Sequence, residues 1–260
     1  MPKRIVATLL SLVALATPVR AQQDALARGI AAMERWDLPA ARRHLEEAVA
    51  AAPQSYEANW RLAHVLLDIG KETPDTVASP VRDSLYDRAE SYARRAVEAN
   101  PDGADGHFVL ASAIGRASLT RSKREQIERA VEIRNSALRA LGLDPSHSGA
   151  LHVMGRWHAE IKRLSSLQTF FARTFLGADI FDEASWDSAE RYLREAVTHA
   201  PERIYHRLDL AKVLIDREKW DDAAAQLQAI SRLPVDEPMD VSYRREAARL
   251  LRDVMARRRP

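Results

Sequence analysis

The chain contains no cysteine, and it is poor in glycine and aromatic residues, with 9 glycines and 6% aromatics in 260 residues. The absence of cysteine excludes a disulfide scaffold, a thiolate nucleophile, an iron–sulfur cluster and a cysteine-ligated zinc site. The scarcity of glycine disfavours phosphate-binding loops. Alanine and charged helix formers dominate instead, so the composition favours an all-α protein with a sizeable core.

The first 21 residues have the composition of a secretory signal peptide. Lys3 and Arg4 precede an apolar run from Ile5 to Ala16, and Val19 and Ala21 provide the small residues of a cleavage site before Gln22. This run is shorter than the roughly 20 residues that a membrane-spanning helix needs. An uncleaved anchor is the alternative. We expect a secreted or periplasmic protein whose mature chain begins at Gln22.

The mature chain is not basic overall. Loss of Lys3, Arg4 and Arg20 changes the formal net charge from +2 to −1, since no acidic residue precedes Asp24. No basic cluster with interleaved aromatic residues is present either. Nucleic-acid binding is therefore not expected, because it relies on such clusters.

Four similar helical phrases recur along the chain, and each of them ends in a proline. Small residues stand five and twelve positions before these prolines, where they allow two antiparallel helices to pack closely. This arrangement is the tetratricopeptide pattern. The phrases are ARRHLEEAVAAAP to Pro53, AESYARRAVEANP to Pro101, IRNSALRALGLDP to Pro145 and AERYLREAVTHAP to Pro201. The small residues are Ala41, Ala48, Ala89, Ala96, Ala140, Ala189 and Ala196, with Ile133 in the weakest copy.

Each phrase is predicted to be the second helix of a hairpin, and Leu45 and Leu193 are expected to fill the space between neighbouring hairpins. A fifth unit ends at Pro234, and Ser242 to Arg258 is predicted to form a capping helix. The fold class is therefore all-α, a tetratricopeptide-like α-solenoid of about five helical hairpins plus a C-terminal capping helix, within residues 22–258. The predicted first helices are residues 25–35, 57–69, 105–119, 148–163 and 205–217.

Three of the repeats are longer than the usual period of about 34 residues. We predict a loop from Lys71 to Asp83 and an extension of two helices from Ala117 to Arg124. The third insertion, Leu164 to Glu183, contains an apolar stripe at helical spacing. This stripe predicts either a short helix packed on the solenoid or a helix that touches a membrane or covers a ligand. Its residues are Leu164, Leu167, Phe171 and Phe175.

Three stretches give the chain a resemblance to a known family. They are LHVMGRWHAEI, LSSLQTFFARTFLG and AERYLREAVTHAPERIYHRLDLAKVLI. From about Asp105 to Val254 the chain resembles the regulator of microtubule dynamics family, through Gly155-Arg156-Trp157, the insertion from Leu164 to Gly177 and the tail after Leu233-Pro234. The resemblance implies an α-helical repeat fold without catalysis. It also implies binding of microtubules or a role in membrane-contact and lipid-handling assemblies.

No recognised catalytic or metal-binding motif appears. The eight histidines include no i, i+4 pair and no HExxH motif, and no GxSxG, Walker or dinucleotide motif is present. Acidic residues alternate with arginine along the helices, as expected of solvated faces with ion pairs one turn apart. We therefore expect neither an enzyme nor a bound metal or cofactor.

A ligand is expected in the concave groove that the first helices of tetratricopeptide hairpins line. This face combines apolar anchors with spaced cations that suit carboxylate or phosphate. The alternative is that these cations only pair with neighbouring acids, as Arg156 would with Glu160. The candidate residues are Arg61, Val65, Phe108, Ser112, Arg116, His152, Arg156, Tyr205 and Lys212.

The predicted function is that of an exported, non-catalytic scaffold. It would bind a protein or peptide partner, such as an extended segment or an acidic terminus, in this groove. One alternative is binding of lipid or an anionic amphiphile at a membrane surface, with the Leu164 to Leu176 insertion covering an apolar channel. A second alternative is microtubule binding, which requires a eukaryotic source.

Overall fold

The computed structural model describes residues 22–165 and 179–257. These residues form eleven α-helices and no strand, which confirms the all-α, tetratricopeptide-like α-solenoid class. The predicted signal peptide and the stripe residues Leu167, Phe171 and Phe175 lie outside the described residues. The helices are α1, 22–34; α2, Leu38–Ala51; α3, Tyr56–Lys71; α4, Pro80–Ala99; α5, Ala104–Ala117; α6, Lys123–Leu143; α7, Ser148–Arg163; α8, Trp186–His199; α9, Ile204–Asp216; α10, Trp220–Ile230; and α11, Asp240–Arg257.

The helix ends follow from short-range chemistry. The second helices of the first four hairpins end just before the four repeat prolines, with capping residues Ala52, Asn100, Asp144 and Ala200 outside helical geometry. A following proline disfavours the helical conformation at the residue before it. Many starts are capped by a side chain, and Ser122 forms a complete capping box with Glu125.

The chain divides after Asp102 into two compact units. Unit 1 contains two hairpins, α1/α2 and α3/α4. Leu45 packs against Gly29 of its own hairpin, so closely that an added Cβ at Gly29 would lie 2.8 Å from the Leu45 side chain. This contact lies inside the hairpin, and the predicted role of Leu45 between hairpins stays a prediction. The glycine creates room for it inside the hairpin.

The loop in unit 1 is shorter than predicted. It covers residues 72–79, because Pro80 already stands in the first turn of α4 and Ser79 caps that helix. Arg82 is almost fully buried beneath the loop and donates hydrogen bonds to the carbonyls of Pro74 and Val77, both at 2.8 Å. The loop is thus tied to α4 through its backbone.

Unit 2 contains three hairpins, α5/α6, α7/α8 and α9/α10, and the capping helix α11. The helices pack on neighbours in the chain, and none of the principal contacts between the described helices skips more than one helix. Leu193 lies against Gly155, where an added Cβ would be 2.5 Å from its Cγ. Leu193 therefore repeats the relation of Leu45 to Gly29, again within its own hairpin. Leu193 also belongs to a buried cluster with Ile204, Leu208 and Ala211 of α9, so its predicted place next to the neighbouring hairpin is confirmed.

The two insertions of unit 2 differ from each other. The predicted extension from Ala117 to Arg124 is instead a break, in which α5 passes through the 3₁₀ turn Ser118–Thr120 before α6 begins. The second insertion ends in the 3₁₀ turn Asp179–Glu183, and Phe181 of this turn packs on Trp157. The Trp157 indole donates a hydrogen bond to the Ala130 carbonyl at 2.8 Å. Trp157 thus connects this turn to α6.

The capping helix forms as predicted. Ala247 and Val254 are buried, and Tyr243, Leu250 and Leu251 pack against the core of the last hairpins. The seven small residues of the repeat pattern, Ala41, Ala48, Ala89, Ala96, Ala140, Ala189 and Ala196, have no exposed surface. The positions of the small packing residues, which were predicted by counting back from the prolines, are therefore confirmed.

Candidate functional site

The two candidate residues of unit 1 lie on α3, but only one of them reaches the surface. Val65 has no exposed surface and belongs to the core of unit 1, so a ligand cannot touch it. Arg61 pairs with Glu57, with 2.8 Å between Nη2 and Oε1, and its guanidinium lies 4.4 Å from the Trp60 ring centre. Arg61 thus already has both an acidic and an aromatic partner.

The candidates on α5 are partly structural. The Phe108 ring lies over Gly149, where an added Cβ would come within 2.6 Å of it, and 4.7 Å from the His147 ring. Phe108 is half-buried by these contacts and fixes the approach of α7 to α5. Ser112 and Arg116 follow at one-turn spacing and are also half-buried.

The remaining four candidates come together in unit 2, where α7, α9 and α11 meet. We call this group the unit-2 cluster. Its centre is Asp209, whose carboxylate is 2.9 Å from His152 Nε2, 3.7 Å from Arg156 Nε and 3.2 Å from Lys212 Nζ. Lys212 also pairs with Glu246 of α11 at 3.1 Å. The members of the cluster are His152, Arg156, Tyr205, His206, Asp209, Lys212, Tyr243 and Glu246.

Asp209 stays ionised because its cationic neighbours outweigh its burial. Burial alone raises the pKa of the carboxyl, but the charge of Arg156, the hydrogen bond with His152 and the charge of Lys212 together hold that pKa well below its usual range. The charge of Asp209 in turn raises the pKa of Arg156. The cluster is therefore a network of mutually compensating charges.

Aromatic rings stack beneath these charges. The His152 ring lies edge-on to Tyr205, with 4.9 Å between ring centres, and stacks on His206 at 5.1 Å. His206 is fully buried, and burial, with the nearby charges of His152 and Arg203, lowers its pKa to about 2. His206 is consequently a neutral part of the core, whereas Tyr205 and Tyr243 keep part of their surface accessible to solvent.

The acids of this cluster are not among the residues that the sequence predicted. Asp209 and Glu246 neutralise Arg156 and Lys212, so the aligned cations on this face are not free charges. The pair Arg156 and Glu160 forms loosely, at 3.6 Å. The three-residue spacing of Asp209 and Lys212 on one helix could have predicted their ion pair from the sequence. The contact of Asp209 with α7 could not be predicted in this way, because it depends on how helices on either side of the long insertion pack.

Among the described residues, no group of three or more histidine, aspartate and glutamate side chains is arranged to hold a metal ion. In the same part of the chain, none of the helices combines the length and the apolar character that crossing a bilayer requires. What the unit-2 cluster offers chemically is a surface of hydrogen-bonding and aromatic groups.

The model of the family described as regulator of microtubule dynamics protein 1-3 matches residues 22–255. The chain belongs to this family. The match is longer than the resemblance seen in the sequence, because it also includes the two hairpins of unit 1. Among curated proteins the chain has no match.

Solved structures confirm the tetratricopeptide fold. The tetratricopeptide protein TTC0263 of Thermus thermophilus has a TM-score of 0.63 at 21% identity, over 89% of this chain and 99% of that chain. The pilF protein of Pseudomonas aeruginosa has a TM-score of 0.54 at 16% identity, over 92% of this chain and 89% of that chain. At these identities the similarity concerns the fold alone.

Proposed function

We propose that this member of the regulator of microtubule dynamics family is an exported, non-catalytic interaction module. A tetratricopeptide-type module for protein partners is the functional class that the family and the fold support. The finer proposal is that the unit-2 cluster binds an extended segment of a partner protein.

The unit-2 cluster carries this proposal. It combines two partly exposed tyrosines with polar side chains that are held in place by one another. Tyrosine provides large contact areas at low entropic cost, and partly exposed aromatic side chains are typical energetic centres of protein interfaces. Because Asp209 fixes both His152 and Lys212, a ligand would meet a surface whose polar groups are already ordered.

The compensated charges change the expected ligand. A strongly acidic terminus would need cations that are free to form new bidentate contacts, but Arg156 and Lys212 each face two acids. We therefore propose a segment that packs on Tyr205 and Tyr243 and exchanges hydrogen bonds with the charged network. Arg156, with 44% of its side chain exposed, is the cation most accessible to such a segment.

Replacing Tyr205 and Arg156 together with alanine is expected to weaken capture of the partner protein by about 30-fold or more, since the loss of even one interface hot spot costs about 2 kcal/mol or more. The full chain, tagged and expressed in its own host, is cross-linked and its partner quantified by mass spectrometry. Tyr92→Ala with Arg95→Ala removes the same two residue types from α4 and should retain the partner. Equal capture by both double variants would exclude the unit-2 cluster as the binding site.

Phospholipid found by native mass spectrometry in place of a protein would favour the lipid-binding alternative.

Export is the second part of the proposal. We expect the mature protein to begin at Gln22, because the charged and apolar segments before it have the order that signal peptidase substrates show. Mass-spectrometric mapping of the N-terminus of protein purified from its host tests this. A chain that retains Met1 in the cytosolic fraction would contradict export.

A further inference from the structure

A single buried carboxylate closes the turn that leads into α11. Asp240 is the first residue of α11 and has only 3% of its surface exposed. Its Oδ2 accepts hydrogen bonds from the backbone N–H groups of Asp236 at 3.0 Å and Glu237 at 2.9 Å. Asp240 therefore fixes the path of the chain from the last hairpin into the capping helix.

The other carboxylate oxygen of Asp240 is buried and has no hydrogen-bond donor among the described residues. Arg244 stands one turn later on α11, but its Nε is itself buried without an acceptor in this part of the chain. Arg203, at the start of α9, pairs with Glu202 and Glu237. A buried carboxylate that is only partly satisfied in this way is costly in its ionised form.

The charges that face Asp240 do not offset its burial. Burial raises the pKa of the carboxyl, the backbone N–H of Asp236 lowers it, and the negative charge of Asp236 raises it again. The charges of Arg203 and Arg244 lower the pKa, but the net direction is upward from the usual value of 3.8. Because undocking of α11 would return Asp240 to water, protonation of Asp240 favours the docked helix.

Asp240 lies next to the residues through which α11 completes the unit-2 cluster. Tyr243 and Glu246 follow it within the first two turns of the helix. The Tyr243 ring centre is 6.4 Å from that of Tyr205, and Glu246 pairs with Lys212 at 3.1 Å. Both contacts depend on where α11 begins, which is the position that Asp240 determines.

We propose that Asp240 is a positioning residue whose protonation regulates the docking of α11, and with it the presentation of Tyr243 and Glu246 in the unit-2 cluster. With a proton on Asp240, the first turns of α11 are held in place. Without it, the buried negative charge favours their local opening. The regulatory role rests on the proposed binding function of the unit-2 cluster, because only docked molecules would present the complete surface.

Hydrogen–deuterium exchange of the full chain, measured by mass spectrometry on peptides from residues 240–257, tests the positioning role without a ligand. Asp240→Asn keeps an oxygen that can accept both backbone hydrogen bonds but removes the charge. At pH 7 these peptides should exchange several-fold more slowly in Asp240→Asn than in the wild type. The difference should become smaller as the pH falls to 4.5, because the wild-type carboxyl then gains its proton. Comparison at equal pH cancels the effects of other titrating groups.

Asp253→Asn is the matched control, since Asp253 is exposed on the same helix and its replacement changes the net charge equally. It should exchange like the wild type at both pH values. Asp240→Ala removes the acceptor of two N–H groups and should exchange faster at both. Circular dichroism confirms that each variant is folded. The positioning role would be overturned if Asp240→Ala exchanged like the wild type. The protonation dependence would be overturned if Asp240→Asn exchanged as fast as the wild type at pH 7, or if their difference did not change with pH.

Capture of the partner protein tests the regulatory role separately. At pH 7, Asp240→Asn should capture several-fold more partner than the wild type, and equal capture would overturn the regulation. If the Tyr205→Ala, Arg156→Ala variant retained the partner, the binding function of the unit-2 cluster and its regulation would both fail. The exchange results would still decide whether Asp240 positions α11.

Discussion

Acidification from pH 7 to pH 4.5 is expected to lower the free energy of unfolding of unit 2 by about 5 kcal/mol through two buried histidines. Burial and the charges of Arg191 and Arg134 lower the pKa of His158 to about 4, and the pKa of His206 is about 2. The unfolded chain binds a proton at each site below about pH 6.5, whereas the folded chain does not. Each histidine thus costs about 1.4 kcal/mol per pH unit in this window.

The cost is absent above about pH 6.5, where both histidines are neutral in the folded and the unfolded chain, and it grows as the pH falls. Asp209 does not titrate in the same window, because its pKa is held well below its usual value of 3.8. Asp240, whose pKa is raised by burial, acts in the opposite direction. The effect of the histidines is therefore best measured as a difference between variants.

Urea unfolding followed by circular dichroism at pH 7, 6, 5 and 4.5 provides the measurement. In His206→Leu, the decrease in the free energy of unfolding between pH 7 and pH 4.5 should be about 3 kcal/mol smaller than in the wild type. This is the larger of the two effects. His158→Leu should lose slightly less, since its folded-state pKa is nearer to the end of the window. A variant whose stability falls with pH as steeply as that of the wild type would show that the replaced histidine is not kept neutral by the fold.

Replacing Ala196 with tryptophan is expected to destabilise unit 2 by about 3 kcal/mol or more, because overpacking of a close helix contact forces neighbouring side chains and backbone apart. Ala196 has no exposed surface, and it lies on the α8 face that also carries Ala189 and Leu193, which pack against α7 at Gly155. The melting temperature should fall on the order of 10 °C for a unit of this size.

Thr198→Trp is the matched control, since Thr198 is exposed and lies two residues further along the same helix. It should melt within a few degrees of the wild type. Thermal melting by circular dichroism compares the two variants. Similar melting temperatures for both would mean that the α8 face at Ala196 is not closely packed.

The helices were predictable from the sequence because their ends depend on nearby residues. Each of the four repeat prolines follows a helix that ends two residues earlier, and the small residues seven apart mark the face that packs. The predicted start of α4 is wrong only because Pro80 was assigned to the loop, although proline is favoured in the first turn of a helix. Such errors concern single turns and do not alter the order of the hairpins.

The candidate site was less predictable because it depends on which helices meet. Arg156 and His152 share a helix face that the sequence shows. Their partner Asp209 stands more than fifty residues later, beyond an insertion of unknown path. The sequence therefore predicted cations on this surface but could not show that they are neutralised. Val65 was misassigned for a related reason, since a helix that packs on both sides has no apolar face left for a ligand.

The packing of each helix on its neighbours in the chain also determines the order in which structure can form. A hairpin such as α1/α2 needs only about thirty residues to bring Gly29 and Leu45 together. Contacts of such low sequence separation form quickly, because little loop entropy is lost before they are made. A chain that emerges with its N-terminus first can therefore complete the contacts within one hairpin before the next hairpin has appeared.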